Sequence, residues 1–221
     1  MPGTFVARIV PAVVLTALTT LAATFAFAAS VPALAPARPA RTESATFAGG
    51  CFWSMEAQFE GVPGVRSVIS GYTGGWKKHP TYEEVGSHTT GHLESVDIVF
   101  DPAVVTYSQL LDRFWHGMDP TQADGQFCDL GESYRSAIFY HGDAQRQQAL
   151  ASKAALERTG ALHGPIVTRI VAAGDFWPAE DYHQDFAKKN PEHYHRYREG
   201  CGRDRRLDQV WGKAAVRPIG Y

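Results

Sequence analysis

The sequence predicts a two-layer α/β (α+β) sandwich in which helices cover a mixed β-sheet. Runs with strand periodicity alternate with runs of helical spacing along most of the chain. Interleaving of this kind is typical of domains in which helices pack on a sheet. No internal repeat interrupts the pattern, and 44% of the 221 residues are hydrophobic, which is enough for one sizeable core.

The predicted elements follow one another closely from residue 45 to residue 189. Two segments carry the clearest signals: Phe52, Met55 and Phe59 have helical spacing, and Leu93–Phe100 alternates apolar and polar side chains. A polar loop at 117–133 contains three glycines, and long loops of this kind usually carry function. In chain order, the predicted elements are a strand at 45–48, the helix that begins near Cys51, strands at 65–71 and 93–100, a helix at 108–115, a strand at 136–141, a helix at 144–158 capped by Asp143, a strand at 166–172 and a helix at 179–189.

The chain is expected to divide into a leader, a linker and one folded domain. Residues 1–29 hold a single charge, Arg8, before a long apolar run, and Ala26-Phe27-Ala28 offers a small-x-small cleavage site, as in a secretory signal peptide. The run is nearly long enough to span a bilayer, so an uncleaved anchor is the alternative. An Ala/Pro-rich linker is predicted at 30–43, and the domain at 44–221 ends in an irregular tail from about 192. Either leader predicts a periplasmic or otherwise extracytoplasmic protein.

The charge of the chain gives no reason to expect a nucleic acid as partner. The formal net charge is -2, and acidic and basic residues are nearly balanced. The basic run Arg203-Asp204-Arg205-Arg206 is short and contains an acid, so we expect it to lie on a solvated helix face or surface. We expect a monomer that binds no metal.

Cys51 lies where a strand ends, a pair of glycines turns the chain and a helix begins. Gly49 and Gly50 allow backbone angles that a side chain would forbid. The N–H groups at the start of a helix favour negative charge, so a thiol there can have a pKa well below its usual value, and the thiolate is the reactive form. Phe52 and Trp53 follow, which predicts a thiol at the edge of an apolar pocket; a buried inert cysteine is the alternative.

The other candidate groups are two more cysteines and one carboxylic acid. Cys128 and Cys201 bring the cysteine count to three, which is too few for a disulfide scaffold and, outside the cytoplasm, indicates a reactive thiol or a disulfide that cycles. Chemistry at Cys51 needs a proton source, and a carboxyl group in an apolar site can serve. Glu94, at the start of the predicted 93–100 strand, is the candidate, although pattern alone favours an exposed strand-end charge.

Five motifs occur in a fixed order between about residue 45 and residue 191. They are Gly50-Cys51-Phe52-Trp53, Gly71-Tyr72-Thr73-Gly74-Gly75, Pro80-Thr81-Tyr82, Thr90-Gly91-His92-Leu93-Glu94 and Tyr134-Arg135-Ser136-Ala137-Ile138. The first motif alone is fairly specific for one protein family, and the five motifs in this order are highly specific. Together they resemble the A-type peptide methionine sulfoxide reductase family.

The resemblance implies an oxidoreductase that reduces the S epimer of methionine sulfoxide, free or in oxidised proteins, and so repairs proteins. It implies that Cys51 attacks the sulfoxide sulfur and becomes a sulfenic acid, while Glu94 protonates the departing oxygen. Cys201 would then form a disulfide with Cys51, and an external thioredoxin-like dithiol would reduce it, with no bound cofactor. The substrate-binding residues that the resemblance implies are Phe52, Trp53, Tyr82, Asp129 and Tyr134.

Cys128 is an alternative resolving thiol because it directly precedes Asp129 in the glycine-containing loop. The neighbouring carboxylate would raise the pKa of Cys128 and slow its attack. Cys201, between two glycines on a tail that can move, is therefore the expected resolving thiol, and Cys128 a spare thiol or a partner in a second exchange. The chain departs from the family pattern at Met118-Asp119-Pro120, where His-Asp-Pro is common, and at Glu132 and Ser133, where Thr and Gln are more frequent.

Two other classes of function stay open on the residues alone. One is an acyl-transfer enzyme that pairs Cys51 with one of the nine histidines, although nothing selects a partner. The other is a metal-binding module made from His183, His193, His195 and Cys201, whose spacing is loose for zinc. Four aromatic residues could also line a peptide groove or pack in the core: Tyr72, Trp76, Tyr194 and Tyr197.

Overall fold

The computed structural model describes residues 1–4, 7 and 41–220. Residues 41–220 lie within one compact unit, which is separate from the N-terminal segment of the chain. The predicted leader, and the linker up to residue 40, fall almost wholly outside the described residues, so their assignment stays a prediction. None of the helices in the described part of the chain combines the length and the apolar composition that a membrane span requires.

Strands and helices alternate along the described residues, as the sequence predicts. The strands are β1 (Glu43–Ala48), β2 (Val65–Thr73), β3 (Leu93–Phe100), β4 (Gly125–Gln126), β5 (Asp129–Leu130), β6 (Ala137–Tyr140), β7 (Arg169–Ala172) and β8 (Trp177–Pro178). The helices are α1 (Phe52–Phe59), α2 (Tyr82–Gly86), α3 (Tyr107–His116), α4 (Asp143–Thr159), α5 (Phe186–Lys189), α6 (Pro191–Gly200) and α7 (Arg203–Trp211).

Six strands form one mixed sheet in the order β7-β6-β1-β3-β2-β8. Every neighbouring pair is antiparallel except β6 and β7, which are parallel and are connected through α4. A parallel pair needs a crossover of this length, whereas antiparallel neighbours accept shorter connections. The mixed sheet with its helices confirms the predicted two-layer α/β class.

The apolar core joins the middle of the sheet to α1 and α3. Phe47 on β1 is fully buried, and its ring centroid lies 5.6 Å from that of Phe59 on α1 and 4.9 Å from that of Phe114 on α3. Burial of a side chain of this size stabilises the fold by about 1.5–3 kcal/mol. The periodic apolar residues that predicted these two helices therefore fix them against the strand that leads to Cys51.

The turn between β1 and α1 needs both of its glycines. Gly50 has a φ of 86°, in the left-handed region, and a Cβ there would lie 2.6 Å from Cβ of Gln126. A Cβ on Gly49 would lie 2.6 Å from Sδ of Met55. The turn leaves Cys51 at the N-cap position, directly before Phe52 begins the helix, as predicted.

Several predicted boundaries are wrong in the second half of the chain. Gly142 is the N-cap of α4, and Asp143 belongs to its first turn. β7 begins at Arg169 rather than at 166, and only Phe186–Lys189 of the predicted 179–189 helix is helical. Four short elements, α2, β4, β5 and β8, carry too few residues to show a periodic signal, so the sequence does not predict them.

The tail is helical rather than irregular. Pro191 begins α6, where its missing N–H costs nothing. Leu207 and Trp211 bury one side of α7, and Nε1 of Trp211 donates to the carbonyl oxygen of Met118 at 2.8 Å. Docking by these side chains overrides the polar composition that suggested an irregular segment.

Candidate active site

Cys51 is a buried thiol, only 7% exposed, and it is the one cysteine outside a disulfide. The Tyr197 hydroxyl and the Trp53 backbone N–H interact with its sulfur and lower its pKa. Burial, followed by the negative charges of Glu94 and Asp129, raises the pKa of Cys51 well above its ordinary value. The expected low pKa is therefore wrong for this state of the site, because desolvation outweighs the effect of the helix N-terminus.

Glu94 lies inside the protein at the start of β3 and is 2% exposed. Its Oε2 accepts the backbone N–H of Phe52, the residue after Cys51, at 2.9 Å. Burial raises the pKa of Glu94 to about 8, against the lowering effect of that N–H, and Asp129 adds to the rise. The exposed strand-end alternative is wrong, and this carboxyl group keeps its proton at neutral pH.

Tyr82 and Tyr134 interact through their hydroxyl groups, and the Tyr134 hydroxyl lowers the pKa of Tyr82. Burial, and then the charge of Glu94, raises the pKa of both phenols, in Tyr82 to about 12. A capping box between Thr81 and Glu84 starts α2 at Tyr82. The two hydroxyls are neutral hydrogen-bond donors beside the Glu94 carboxyl group.

Glu180 fixes Tyr82 of this pair together with Tyr72. Its Oε1 accepts the backbone N–H of Tyr82 at 2.9 Å, and its Oε2 accepts the hydroxyl of Tyr72 at 2.8 Å. Tyr72 lies opposite Glu94 in the register of β2 and β3. Glu180 thus joins α2 to the sheet at the position of Glu94.

An apolar wall forms on the other side of Cys51. The indole of Trp53 stacks on Phe186, with ring centroids 3.7 Å apart, and its Nε1 donates to Nδ1 of His183 at 3.0 Å. Burial lowers the pKa of His183, so the ring is neutral and its proton is on Nε2. Phe52 is 1% exposed and lies against His183, with centroids 4.9 Å apart. The predicted apolar pocket residues therefore do lie beside the thiol.

Asp129 and Tyr197 complete the polar side. The Tyr197 hydroxyl donates to Oδ2 of Asp129 at 2.5 Å. Burial raises the pKa of Asp129, while the Tyr197 hydroxyl and the charge of Arg203 lower it. Tyr197 thus interacts with both the thiol and the Asp129 carboxylate.

Cys128 and Cys201 form a disulfide with a Cα–Cα distance of 5.0 Å. Cys128 is exposed, and its backbone N–H donates to Sγ of Cys201 at 3.2 Å. Cys201 lies four residues after Tyr197, a spacing that places both on one side of α6. The cysteine expected on a mobile tail is instead the C-cap residue of a helix next to Cys51.

The two competing interpretations find no geometric support among the described residues. No hydrogen bond joins Cys51 to a histidine in that part of the chain. His183 accepts from Trp53, and the proposed set of His183, His193, His195 and Cys201 is not among the described groups of ligand atoms within 4.8 Å of one another. Of the four candidate groove aromatics, Tyr72 and Tyr194 are buried, Trp76 is 77% exposed and Tyr197 belongs to the site.

Four residues of the site or its supports were not on the predicted list. They come from segments that carry no family motif, and their types have ordinary surface or core uses. Two of them carry a signal in the sequence: Tyr197 is one of the aromatics weighed for a groove, and His183 is one of the histidines weighed for a metal site. These residues are His183, Glu180, Tyr197 and Arg203.

Comparisons with known proteins agree on one family. Residues 43–215 match the family described as "Peptide methionine sulfoxide reductase". The chain is 56% identical over 173 residues to peptide methionine sulfoxide reductase MsrA of Bacillus licheniformis, covering 78% of this chain and 96% of that protein. It is 55% identical over 172 residues to the protein of the same name from Bacillus subtilis, covering 78% and 97%.

Solved structures give the same result at the level of the fold. Methionine sulfoxide reductase A of Corynebacterium diphtheriae is 35% identical with a TM-score of 0.62, covering 70% of this chain and 77% of that one. The reduced form of Mxr1 from Saccharomyces cerevisiae is 29% identical with a TM-score of 0.65, covering 70% and 89%. The expected resemblance is confirmed, and the chain belongs to the peptide methionine sulfoxide reductase family.

Proposed function

We propose that this protein reduces the S epimer of methionine sulfoxide, free or within proteins, to methionine, and thereby repairs oxidised proteins. The observation that carries the proposal is the pairing of a buried thiol, Cys51, with a buried carboxyl group, Glu94, whose pKa is raised to about 8. The two are linked through the Phe52 N–H at the start of α1. Sulfoxide oxygen leaves poorly unless it is protonated, and a neutral acid beside a sulfur nucleophile meets that need.

The first step transfers one oxygen atom from substrate to enzyme. The Cys51 sulfur attacks the sulfoxide sulfur, the oxygen moves to Cys51, and Cys51 becomes a sulfenic acid while the sulfoxide becomes a sulfide. Glu94 donates its proton to the oxygen, and the proton lost by the Cys51 thiol restores the balance. The substrate sulfur is reduced by two electrons and the Cys51 sulfur is oxidised by two.

The surrounding side chains orient the sulfoxide. Tyr82 and Tyr134 present neutral hydroxyl donors to the oxygen, and burial strengthens each hydrogen bond. Trp53, held by Phe186 and His183, forms a flat apolar wall for the methyl group on the substrate sulfur. Asp129 shapes the polar side through its bond from Tyr197.

Two disulfide exchanges then return Cys51 to the thiol. Cys201 attacks the sulfenic acid, which forms a Cys51–Cys201 disulfide and releases water. The Cys128 thiolate next attacks the Cys201 sulfur; a Cys128–Cys201 bond forms, the Cys51–Cys201 bond breaks, and its electron pair leaves on Cys51. A free Cys51 beside a Cys128–Cys201 disulfide, as found here, is the state this sequence of steps would leave and so supports it.

A thioredoxin-like dithiol is the proposed final reductant. The exposed position of Cys128 supports this assignment, because an incoming thiolate needs access to a disulfide sulfur. Export from the cytoplasm is likewise proposed on the N-terminal sequence, and the mass of the N-terminal peptide of the native protein tests it. A soluble cytoplasmic protein that begins at Met1 would contradict both a cleaved signal and a membrane anchor.

The direct test is an assay of the purified full chain with separated sulfoxide epimers and dithiothreitol as reductant. We expect methionine from the S epimer and none above background from the R epimer. The Cys51→Ser variant is the control and is expected to be inactive. Equal turnover of both epimers, or of neither, would contradict the proposed function.

A further inference from the structure

Arg203, at the start of α7, is a buried cation. It is 1% exposed, whereas Arg205 in the same basic run is exposed. The expectation of a solvated face is therefore wrong at Arg203. Its Nη2 donates to the carbonyl oxygen of Gly49 at 3.2 Å, and its Cζ lies 4.2 Å from the ring centroid of Phe127.

No carboxylate in the described part of the chain forms an ion pair with Arg203, and its Nη1 is buried without a partner there. The two acids that interact with it over a longer range have other partners: Asp204 is paired with Arg198 at 2.6 Å, and Asp129 accepts from Tyr197. A buried charge without a counter-ion is costly. Such a group calls for an explanation beyond packing.

The contacts of Arg203 reach the chain next to all three cysteines. Gly49, whose carbonyl oxygen it binds, is two residues before Cys51. Phe127, over which its guanidinium lies, directly precedes Cys128. Arg203 itself follows Cys201 by two residues, and its charge interacts with the Cys51 sulfur.

We propose that Arg203 is a positioning residue of the thiol relay: it joins the three cysteine-bearing segments, and its charge stabilises the thiolate that leaves on Cys51. The inference rests on the proposed relay. In the second exchange, the Cys128–Cys201 bond forms and the electron pair of the broken bond goes to Cys51, so negative charge develops in a buried position. A thiol with a lower pKa leaves faster, and a nearby cation lowers that pKa. The missing counter-ion of Arg203 is thus formed during the reaction.

The first measurement needs no sulfoxide. In the oxidised protein Cys51 is the only free thiol, so its alkylation by iodoacetamide at fixed pH reports its thiolate fraction. We expect Arg203→Met to slow alkylation about tenfold, which corresponds to a rise of about one pKa unit. Arg203→Lys keeps the charge and should restore most of the rate. Arg205→Met, which removes the same charge from the exposed side of α7, should leave the rate unchanged.

The second measurement follows the relay. After one equivalent of S sulfoxide without reductant, we expect Arg203→Met to accumulate the Cys51–Cys201 disulfide, detected by peptide mass mapping, while the wild type passes to Cys128–Cys201. Wild-type alkylation and wild-type disulfide exchange in Arg203→Met, with only a lower melting temperature, would overturn the proposal. If Arg203→Met does not fold, Arg203→Lys is the variant that tests the proposal. Disulfide exchange from Cys51–Cys201 to Cys128–Cys201 at the wild-type rate would overturn the positioning role. Slow disulfide exchange together with wild-type alkylation of Cys51 would support it. Failure of the wild-type protein to reduce the sulfoxide would count against the proposed function but not against the effect of Arg203 on Cys51, since alkylation does not depend on sulfoxide reduction.

Discussion

At the scale of single residues, burial keeps both the acid and the thiol of the site protonated at neutral pH. Burial raises the pKa of Glu94 to about 8, and it also raises that of Cys51, which lies beside Glu94 and Asp129. The reactive state has lost the thiol proton and kept the carboxyl proton. Because the pKa of Cys51 lies above that of Glu94, only a small fraction of the enzyme is in that state before substrate binds.

We expect Glu94→Gln to bind substrate but to lower the single-turnover rate by about 10²–10⁴, because the amide can donate a hydrogen bond but not a proton. The wild-type rate should rise with pH up to about 8 and then level off. Below pH 8 the fraction of Cys51 thiolate grows with pH while Glu94 stays protonated. Above pH 8 the further gain in thiolate is offset because Glu94 loses the proton that it must donate. In the variant the rise should continue above pH 8. Rapid-quench measurements across this pH range check it, and a wild-type rate and profile in the variant would remove Glu94 from the mechanism.

We expect Tyr197 to be important for activity because its hydroxyl donates to Asp129 and interacts with the Cys51 sulfur. Its replacement in Tyr197→Phe leaves the Asp129 carboxylate without that donor, so we expect kcat/KM to fall about tenfold or more. Tyr107→Phe is the matched control, because the Tyr107 hydroxyl is buried without a partner in the described structure and its loss should cost nothing. Equal activity of the two variants would exclude a role for Tyr197.

At the scale of elements, the sequence predicts what local patterns control. The helical spacing of Phe52, Met55 and Phe59 and the alternation in β3 are local, and both predictions are confirmed. The glycine pair Gly49-Gly50 also predicts the turn before Cys51, since only glycine freely adopts backbone angles with a positive φ. The prediction of an irregular tail is wrong because Leu207 and Trp211 dock α7 on residues that are distant in the chain. The short amphipathic run at 207–211 is the one local signal of that docking.

The turn before Cys51 offers a test at this scale. Gly50→Ala forces a side chain into the left-handed region and 2.6 Å from Cβ of Gln126, so we expect a loss of about 2–4 kcal/mol in the free energy of unfolding and strongly reduced activity. Gly160 is the control, because its φ of 64° also lies in the left-handed region but a Cβ there meets nothing within 4 Å. Gly160→Ala should cost about 1 kcal/mol and leave activity intact. Urea unfolding with parallel assays distinguishes them, and equal losses in both would contradict the packing argument.

The candidate site shows the same division between local and distant information. Cys51, Glu94 and the implied pocket residues lie in motifs, so they could be named in advance. Glu180, His183 and Arg203 act through contacts across 98, 130 and 154 residues of chain. The raised pKa of Cys51 could not be foreseen either, because it depends on burial and on two acids that the fold brings together.

At the scale of the whole molecule, Glu94 costs stability so that the acid can act. Its folded pKa of about 8 lies above the ordinary value of 4.5, so the folded state holds this proton more tightly than the unfolded state. The stability that the folded state gains by holding this Glu94 proton is therefore fully present below about pH 4.5 and is lost as the pH rises through 8. Burial of this catalytic acid therefore lowers the stability of the fold at high pH, where Glu94 is ionised.

Thermal unfolding should show this cost. We expect Glu94→Gln to raise the melting temperature by about 5 °C or more at pH 9, where Glu94 is ionised, and to change it little at pH 5, where Glu94 is neutral. Calorimetry of both proteins at the two pH values checks the sign. A variant that is less stable than wild type at pH 9 would show that the buried carboxylate is stabilised in a way this account omits.

The central claim is that Cys51 takes the sulfoxide oxygen, and the most direct measurement is a single turnover of the Cys128→Ser/Cys201→Ser double variant. With neither resolving thiol present, one equivalent of the S sulfoxide should yield one methionine per protein and leave one added oxygen atom on Cys51, trapped by a sulfenic-acid reagent and located by peptide mass. Methionine formed while Cys51 stays unmodified, or formed equally by a protein that also carries Cys51→Ser, would contradict the account.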